Sequence, residues 1–544
     1  MTKQHWLASY GSIPHHIQPK AYSSVLAMME AAMQRYANLP AVRCAGQTLT
    51  YADLDRLSRD FAAYLQTHLG IRKGDRIAVM TPNLLAFPIA FLGILRTGAV
   101  QVNVNPLYTP RELEHQLNDA GAQTILVFNG VSATVAEVMA KTQLRHVITA
   151  GVGDGSGANL PSPPVDARLT HAVALTEALA QGAHMSLTPV DVQSDDLLFL
   201  QYTGGTTGLS KGAALSHGNL VANTEQFKCF MPQALRPGEE VIVTAIPLYH
   251  IFALMVNFIT YFSVGADNWL VPNPRDFDSF VGTLKAARPT VFMGVNTLYA
   301  GLVMHPATRE VDWSRLRLAG GGGAAVIGAV SDKWQAITGT FIREGYGLSE
   351  TGPVLSFNPS HIQSFNGTTG LPMPSTDIKL LDDQGHEVAL GQEGEICAKG
   401  PQVMRGYWNQ PEANAASFTP DGYFKTGDIG TFDAQGFLKI VDRKKDMILV
   451  SGFNVYPNEI EAVATACAGV AECACVGFAD DKTGEAVKLF VVKSANAALS
   501  EDDLIAHCRQ SLAAYKVPKV VRFVEALPKS TVGKILRREL RDVA

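Results

Sequence analysis

Cysteine is scarce in this chain, and its few copies are scattered. The 544 residues include 7 cysteines, an odd number with no spacing typical of a disulfide framework. This pattern excludes a small secreted scaffold held by disulfides and suits a reducing compartment. Cys473 and Cys475 alternate with apolar neighbours, which predicts one face of a β-strand rather than a metal site.

Long hydrophobic runs and a surplus of positive charge are also missing. The longest uncharged apolar stretch, 251–266, contains polar residues and is short for a membrane span, so we expect a buried helix there. The first residues lack the pattern of a secretion signal. The net charge is −5 and no basic stripe is present, which argues against nucleic acid as a partner. We expect a cytoplasmic protein. Attachment to the inner face of a membrane through a few exposed apolar side chains stays open, as does a homodimer.

What is present is enough apolar sequence for a large core. Apolar residues make up 47% and charged residues 17% of the chain, and the length predicts a large multi-lobed unit plus a small one. From residue 49 to 150, short apolar strands alternate with helical patterns, which is typical of α/β layers with parallel strands. The loop 151–164 interrupts this rhythm, which resumes at Leu197. Residues 370–441 show short alternating strands and turns, which predict a β-rich subdomain.

A strongly charged segment, 442–446, marks the predicted domain boundary. It lies between two apolar runs and is followed by a unit of about 100 residues, a normal size for an independent domain. The sequence therefore predicts an α/β fold with a large N-terminal domain, 1–441, of layered βαβ sheets plus the β-rich subdomain. The segment 442–446 is the predicted hinge, and 447–544 is the predicted small, mobile α+β C-terminal domain.

The segment 202–212, Tyr-Thr-Gly-Gly-Thr-Thr-Gly-Leu-Ser-Lys-Gly, combines hydroxyl side chains, glycines and one lysine. Glycines let the backbone approach an anion closely, and consecutive N–H groups form a nest for phosphate oxygens. Lys211 supplies a cation, and a predicted buried strand, 197–200, precedes the loop. We predict a cradle for a triphosphate. The alternative is a flexible surface linker, which seldom follows a buried strand directly. The spacing is not that of a P-loop.

Three further motifs carry chemistry. The segment 344–352 pairs Tyr346, whose ring can stack on a base, with Glu350, whose carboxylate can hold Mg²⁺. The segment 423–428 ends in Asp428, an acceptor suited to ribose hydroxyls. The segment 527–535 presents Lys534 on a tight turn. Signatures of a serine or cysteine nucleophile are absent from the sequence, so no covalent intermediate with the protein is expected.

In this order and spacing, the four motifs resemble those of the adenylate-forming superfamily of acyl-CoA synthetases, luciferases and peptide-synthetase adenylation domains. The resemblance covers essentially the whole chain. The stretches 103–113 and 441–457 are similar to bacterial long-chain fatty-acid–CoA ligases in particular. The resemblance implies a fatty acid, ATP and coenzyme A as substrates and Mg²⁺ as the metal.

The resemblance also implies roles for individual residues. Lys534 would be the catalytic lysine of adenylation, Glu350 would ligate Mg²⁺ with Thr207, and His250 would join the catalytic set beside the acyl tunnel. Lys445 would be the hinge about which the small domain rotates between two half-reactions. The implied binding residues are Thr203, Gly204, Gly205, Thr206, Thr207, Gly208 and Lys211 at the β- and γ-phosphates; Gly322, Gly323, Ala324, Glu344, Gly345, Tyr346 and Gly347 at adenine and the acyl pocket; Ser349 at the α-phosphate; Asp428 and Arg443 at the ribose; and Gly452 and Phe453 at pantetheine.

Each candidate also has a purely structural interpretation. Lys534 alone would be an ordinary surface lysine, Glu350 a helix cap, and Asp428 the cap of a turn. The motifs around these residues favour function. His250 lies among apolar residues, where a core histidine is an equally good interpretation. Leu254 stands where some long-chain relatives carry a tryptophan gate, so the resemblance does not define gating here.

The glycine run 320–325 supports a hypothesis from another class. Gly320, Gly322 and Ala325 match Gly-x-Gly-x-x-Gly/Ala after an apolar strand, and Glu344 follows at about the spacing that a dinucleotide fold uses. This match would indicate an NAD-dependent oxidoreductase. Close packing of a helix against a pocket explains the glycines equally well.

Elementary electrostatics supports the roles of the central residues. A carboxylate that attacks the α-phosphate of ATP is repelled by it, and a fixed lysine between the two anions stabilises the transition state while Mg²⁺ neutralises pyrophosphate. The expected function is ATP-dependent ligation of a long-chain fatty acid to CoA through an acyl-adenylate, with release of AMP and pyrophosphate. The alternatives are a ligase for medium-chain or aromatic acids, the oxidoreductase, and a protein that binds ATP without turnover.

Overall fold

The computed structural model describes most of the chain, and four sheets organise it. The described residues are 4–18, 21–203, 210–451, 453–480, 482–495, 497–530 and 533–541. The first sheet has seven strands, all paired in parallel except the last two. In spatial order they are Val173–Ala174, His146–Ala150, Thr124–Phe128, Arg76–Met80, Val100–Asn103, Leu197–Thr203 and Lys211–Ser216. The predicted parallel α/β layer is confirmed.

The second sheet has nine strands, with parallel pairing through its centre and antiparallel pairs at its edges. In spatial order they are Leu371–Pro372, Val354–Phe357, Ile342–Gly347, Leu318–Gly321, Val291–Gly294, Val241–Thr244, Asp267–Leu270, Pro40–Cys44 and Gln47–Thr50. The strand Leu318–Gly321 is central, and the helix after it begins only at Gly328. The dinucleotide hypothesis requires the glycine run to lead directly into a helix. The structure does not show this, because the helix begins after the run has ended.

Helices cover these two sheets and lie between them. The long pair Tyr51–Thr67 and Ala86–Thr97 packs side by side, and Thr50 caps the first of them through a reciprocal pair of hydrogen bonds with Asp53. The α-helices are Val25–Arg35, Tyr51–Thr67, Ala86–Thr97, Pro110–Ala120, Ser132–Val138, Leu175–Gly182, His217–Phe230, Tyr261–Ser263, Phe277–Ala287, Asn296–Met304, Gly328–Thr338, Pro411–Ser417, Pro457–Thr465, Glu501–Ser511 and Arg537–Arg541. The short 3₁₀ turns are His5–Ser9, Asn129–Val131, Met139–Lys141, Pro232–Ala234, Pro306–Glu310, Ser349–Thr351 and Ala514–Lys516.

The apolar stretch 251–266 is a buried helix, as predicted, but of a different type. Phe252–Thr260 is a π-helix that continues into the short α-helix Tyr261–Ser263. Leu254 is fully buried within it. A π-helix within a helical run is frequently a functional feature, because it shifts the side chains that follow. Among the described residues, no helix combines the length and the apolar character needed to cross a bilayer.

The third sheet confirms the predicted β-rich subdomain. Its four antiparallel strands are Asp377–Leu381, Gly394–Lys399, Phe424–Phe432 and Leu438–Arg443. The last strand continues past residue 441, because Asp442 pairs with Ile429 and Arg443 pairs with Asp428. The first two residues of the predicted hinge thus belong to this sheet.

The fourth sheet lies in the C-terminal part of the chain. Its strands are Phe453–Val455, Ile448–Val450, Gly484–Lys493 and Val470–Asp480, with Val520–Phe523 paired in parallel to the third of them. Cys473 and Cys475 share one buried face of Val470–Asp480, and Ala474 faces another cluster. The predicted strand face is confirmed.

Candidate functional site

The phosphate end of the site begins at a β-hairpin, which we call the phosphate hairpin. The antiparallel strands Leu197–Thr203 and Lys211–Ser216 pair Thr203 with Lys211, so these two residues stand at the base of the predicted phosphate loop. The residues of the loop itself lie outside the described part of the chain: Gly204, Gly205, Thr206, Thr207 and Gly208. Ser210, just after them, has its carbonyl oxygen 2.9 Å from His115 Nε2, which fixes the exit of the loop to the helix Pro110–Ala120.

Glu350 lies close to this hairpin in space, although it is far from it in sequence. It lies in the 3₁₀ turn Ser349–Thr351, directly after the strand Ile342–Gly347, and is buried. The Tyr407 hydroxyl donates a hydrogen bond of 2.8 Å to Glu350 Oε1. Lys211 Nζ lies 5.3 Å from the centroid of the same ring. Burial raises the pKa of Glu350, and the Tyr407 hydrogen bond acts in the opposite direction.

The predicted adenine side is built by two neighbouring parallel strands, which pair Gly321 with Glu344. Gly322 follows the first strand, and a Cβ placed on it would lie 3.2 Å from the carbonyl oxygen of Gly345. Gly323 adopts φ +76°, a conformation that glycine takes without strain. Ala324 is half-buried. The glycines therefore let two backbone segments close tightly around one edge of the site.

The Glu344 side chain turns back toward the glycine segment. Its Oε1 accepts a hydrogen bond of 3.1 Å from the Val326 amide. Burial raises the pKa of Glu344 to about 8, and the Val326 amide only partly opposes this. Gly347 has no space for a side chain, because a Cβ there would overlap the carbonyl oxygen of Pro353. Ser349, half-buried, opens the turn that carries Glu350.

The predicted ribose side joins the second motif to the third. The Tyr346 hydroxyl donates a 2.6 Å hydrogen bond to Asp428 Oδ2. Arg443 Nε lies 3.6 Å from Asp428 Oδ1, and the two residues are direct neighbours across paired strands. Asp428 is buried. A buried carboxylate held by a hydroxyl and a guanidinium presents a fixed array of polar groups at this edge.

Lys534 reaches the same place on a hairpin of the C-terminal part. Ser530 N donates to the Lys534 carbonyl at 2.7 Å, and Lys534 N donates to Ser530 Oγ at 3.1 Å. Gly533 adopts φ +77°, and a Cβ on it would overlap Thr297 Oγ1. Thr297 belongs to the helix Asn296–Met304, so the hairpin lies directly against the N-terminal part of the chain.

Burial and nearby charges shift the pKa of Lys534 and of its neighbour His250. Burial lowers the pKa of Lys534 to about 7, and the positive charge of Arg443 adds to that effect while Asp428 opposes it. Burial also lowers the pKa of His250 to about 4, with a further contribution from the charge of Lys534. His250 Nδ1 accepts a hydrogen bond of 3.2 Å from the Phe252 amide. The histidine is therefore neutral at neutral pH and lies within electrostatic range of the lysine.

Two remaining predicted residues lie at the boundary and beyond it. Burial lowers the pKa of Lys445 to about 8, with a contribution from Arg443, and its carbonyl accepts a hydrogen bond of 3.3 Å from Arg541 Nη2. Phe453 is 56% exposed and stacks on Tyr515 with ring centroids 4.8 Å apart. Gly452 lies outside the described residues.

A metal would have few protein ligands here. Within the described ranges, no group of three or more His, Cys, Asp or Glu side chains is arranged to hold a metal ion. Glu350 offers one buried carboxylate beside the phosphate hairpin. Mg²⁺ in nucleotide sites is commonly held by one or two carboxylates together with phosphates and water. The residues present therefore fit a metal that arrives with a nucleotide.

Comparison with known proteins decides the family. The AMP-binding enzyme family matches residues 29–408, and the AMP-binding enzyme C-terminal domain matches residues 459–534. The chain belongs to the AMP-binding enzyme family. The long-chain-fatty-acid–CoA ligase of Salmonella typhimurium is 49% identical over 554 residues, covering 100% of this chain and 98% of the relative. That of Yersinia pestis is 49% identical over 549 residues, covering 99% and 97%.

A solved structure of ATP-bound MatB from Rhodopseudomonas palustris is similar throughout, with a TM-score of 0.83 and 30% identity, covering 95% of this chain and 98% of that one. The fold predicted from the sequence, a large α/β part and a smaller C-terminal part, is thus that of an AMP-binding enzyme. The two family matches leave residues 409–458 between them, and the predicted hinge lies in this interval.

The sequence analysis missed Tyr407 and His115, which both contact the phosphate hairpin. Tyr407 is 57 residues from Glu350 in sequence, and His115 is 95 residues from Ser210. Neither lies in one of the four motifs that the sequence analysis singled out. Their roles follow from strand pairing and helix packing, which no local pattern indicates.

Proposed function

We propose that this AMP-binding enzyme joins a long-chain fatty acid to coenzyme A through an acyl-adenylate. The single observation that carries the proposal is the convergence of four separate motifs at one place. Lys211 and Glu350 both contact Tyr407. Asp428 accepts a hydrogen bond from Tyr346, which belongs to the motif of Glu350. The charges of Asp428 and Arg443 act on Lys534. The long-chain-fatty-acid–CoA ligases that align over the whole chain support the substrate class.

In the first half-reaction, a carboxylate oxygen of the fatty acid attacks the α-phosphorus of ATP. The bond to pyrophosphate breaks, and pyrophosphate leaves with the electron pair. Lys534 stabilises the negative charge that crowds between the two reactants, and Lys211 with the loop 203–211 holds the β- and γ-phosphates. Glu350 would hold Mg²⁺, which neutralises charge on the phosphates when bound. Asp428 and Arg443 would hold the ribose, and Tyr346 would flank adenine.

In the second half-reaction, the CoA thiolate attacks the acyl carbon, the bond to AMP breaks and AMP leaves. We place the N-terminal domain at 1–441, the hinge at 442–446 and the C-terminal domain at 447–544. In the present pose Lys534 faces the nucleotide residues, which suits the first half-reaction. Rotation about Lys445 would bring Gly452 and Phe453 to the pantetheine arm in the second. The Phe453 ring is exposed on the side that does not stack on Tyr515.

A panel of acids tests the proposal. The enzyme is incubated with ATP, Mg²⁺, CoA and acetate, octanoate, oleate or a cinnamate, and AMP and thioester are quantified. We expect oleate to give the highest kcat/KM, with AMP and thioester formed in equal amounts. A preference for octanoate or the cinnamate would instead assign a medium-chain or aromatic acid ligase. ATP binding without acid-dependent AMP would overturn the proposal.

A lysine variant tests the mechanism within the same assay. We expect Lys534→Ala to lower adenylate formation by about a hundredfold or more, because it removes a preorganised cation from the transition state. The same variant should still convert a chemically prepared acyl-adenylate and CoA into thioester at close to the wild-type rate. Wild-type adenylation by Lys534→Ala would contradict the assigned role.

A further inference from the structure

The main chain around Tyr407 is held beside the phosphate hairpin by hydrogen bonds on two sides. Ala214 N donates to the carbonyl of Gly406 at 3.0 Å, and Trp408 N donates to the carbonyl of Gly212 at 2.8 Å. On the other side, Tyr407 N donates to Asn414 Oδ1 at 2.6 Å. The segment that carries Tyr407 therefore acts as a short additional strand along Lys211–Ser216.

The side chain of Tyr407 connects two groups of opposite charge. Its hydroxyl donates to Glu350 Oε1 at 2.8 Å, and its ring lies under the Lys211 ammonium, 5.3 Å from the ring centroid. The face of an aromatic ring attracts a cation electrostatically, so it can hold the Lys211 ammonium in one position while the ammonium stays charged. A buried carboxylate needs a hydrogen-bond donor to remain ionised in a fixed orientation. One side chain thus orients both charges.

The segment of Tyr407 also holds the backbone of Glu350, since Met404 N donates to the Glu350 carbonyl at 2.8 Å. The turn that carries the carboxylate is therefore fixed at its main chain and at its side chain by residues 404–407. Removing the hydroxyl alone would leave the main-chain contact and the ring in place. The two functions of Tyr407 can be separated by substitution.

We propose that Tyr407 is a positioning residue, which sets the Glu350 carboxylate and the Lys211 ammonium at the spacing required by the metal-bound phosphates of ATP. The inference rests on the proposed function of Glu350 and Lys211. The hydroxyl acts on the metal side through Glu350, and the ring acts on the phosphate side through Lys211. Neither group touches substrate in this proposal.

The test measures ATP binding by calorimetry on the full chain without fatty acid, with Mg²⁺ and with a chelator. For the wild type we expect tighter binding with Mg²⁺. We expect Tyr407→Phe to weaken binding with Mg²⁺ by about tenfold, as for the loss of a hydrogen bond to a charged group, and to change binding in chelator by less than about twofold. The ring that orients Lys211 is retained in this variant.

Two further variants serve as controls for the effect of Tyr407→Phe on ATP binding. Tyr10→Phe removes another buried hydroxyl, one that donates to the Pro372 carbonyl at 2.6 Å, and should leave both titrations unchanged. Glu350→Gln should lose the gain from Mg²⁺, and adding Tyr407→Phe to it should cause no further loss, because both changes act on one interaction. Thermal unfolding checks that each variant is folded.

The outcomes separate the two proposals. If Tyr407→Phe binds like wild type in both titrations, or weakens both equally, Tyr407 does not act through Glu350 and the inference is wrong while the proposed function stands. If the wild type gains no affinity from Mg²⁺, the metal role of Glu350 and the role of Tyr407 fall together. Additive losses in the double variant would also overturn the inference.

Discussion

At the scale of single residues, burial sets the protonation of several groups of the candidate site. Lys534 and Glu344 have pKa values of about 7 and about 8, lowered and raised mainly by burial. His250 is kept neutral, with a pKa of about 4. Burial therefore favours the uncharged form of each of these three groups. An anion that binds next to Lys534 would favour its charged form.

The first prediction concerns Glu344 and stability. Its pKa of about 8 lies above the ordinary value of 4.5, so the folded protein keeps a proton that the unfolded chain releases between these values. The contribution of Glu344 to stability therefore falls as pH rises from about 4.5 to about 8, by up to roughly 1.4 kcal/mol per pH unit for one proton. His250 and His217, whose pKa values burial lowers to about 4, contribute with the opposite sign below about pH 6.5. We expect Glu344→Gln to remove the Glu344 contribution, measured as the midpoint of urea unfolding at pH 5, 6, 7 and 8. An unchanged slope would contradict the prediction.

The second prediction concerns the reactivity of Lys534. With a pKa of about 7, its amine is partly neutral at pH 7, whereas an exposed lysine is fully charged. We expect an amine-reactive reagent small enough to enter the site to modify Lys534 preferentially at pH 7 to 8, with Lys482, which is exposed, as the internal reference in peptide mass spectrometry. ATP should protect Lys534. Equal labelling of the two lysines would contradict the lowered pKa.

At the scale of elements, the hairpin that pairs Lys529 with Ile535 and carries Lys534 lies against the helix Asn296–Met304. Gly533 has positive φ, and a Cβ on it would overlap Thr297 Oγ1. The turn therefore needs glycine for two reasons: its backbone conformation and the neighbouring side chain. Neither reason involves the core of the C-terminal part. We therefore expect a substitution of Gly533 to affect the docking of the hairpin on the helix Asn296–Met304 rather than the folding of the C-terminal part.

The third prediction separates these two reasons. We expect Gly533→Ala to lower adenylate formation strongly, because the added methyl group overlaps Thr297 Oγ1. Gly385→Ala is the matched control, since Gly385 also has positive φ, +83°, but nothing within 4 Å of a Cβ. Thr297→Gly should restore part of the activity of Gly533→Ala. No loss in Gly533→Ala would show that the observed docking is not the one that supports adenylation.

At the scale of the whole molecule, a few contacts across the predicted hinge hold the present pose. Asp442, in the β-rich sheet, accepts a hydrogen bond of 2.8 Å from Asn458 N in the C-terminal part. Arg537 Nη1 lies 3.9 Å from Asp442 Oδ1, and Arg537 Nη2 lies 2.7 Å from Glu461 Oε2. Arg537 follows Lys534 closely in sequence. The ion pairs that hold the terminal helix therefore also fix the position of the lysine hairpin relative to the hinge.

The fourth prediction addresses the proposed rotation. Proline at 445 restricts the backbone at the point where the two domains would turn. We expect Lys445→Pro to impair at least one half-reaction, measured separately as pyrophosphate release without CoA and as thioester formation from prepared acyl-adenylate. Lys445→Ala, which removes the side chain but leaves the backbone free, is the control. Two unimpaired half-reactions in Lys445→Pro would refute the two-pose proposal.

The sequence by itself determined the local chemistry and the layered fold. Apolar periodicity predicted the alternation of strands and helices between residues 49 and 150, which includes the observed strands Thr124–Phe128 and His146–Ala150, since a side-chain pattern indicates which face a segment buries. The residue types around Lys211, Glu350 and Asp428 suggested contacts with phosphate, metal and ribose. The AMP-forming ligase itself followed from the resemblance of the four motifs to the adenylate-forming superfamily. The glycine run showed the limit of this approach, because its spacing also fits a dinucleotide fold.

Only the tertiary structure decided which groups meet and in which protonation state. Tyr407 reaches Glu350 and Lys211 through an isolated β-bridge, and Gly533 meets Thr297 across two parts of the chain. The Glu344 side chain turns to the Val326 amide although its motif predicts an adenine contact. These contacts join residues far apart in sequence. They depend on chain packing and on the removal of water, and a local pattern of residues contains neither.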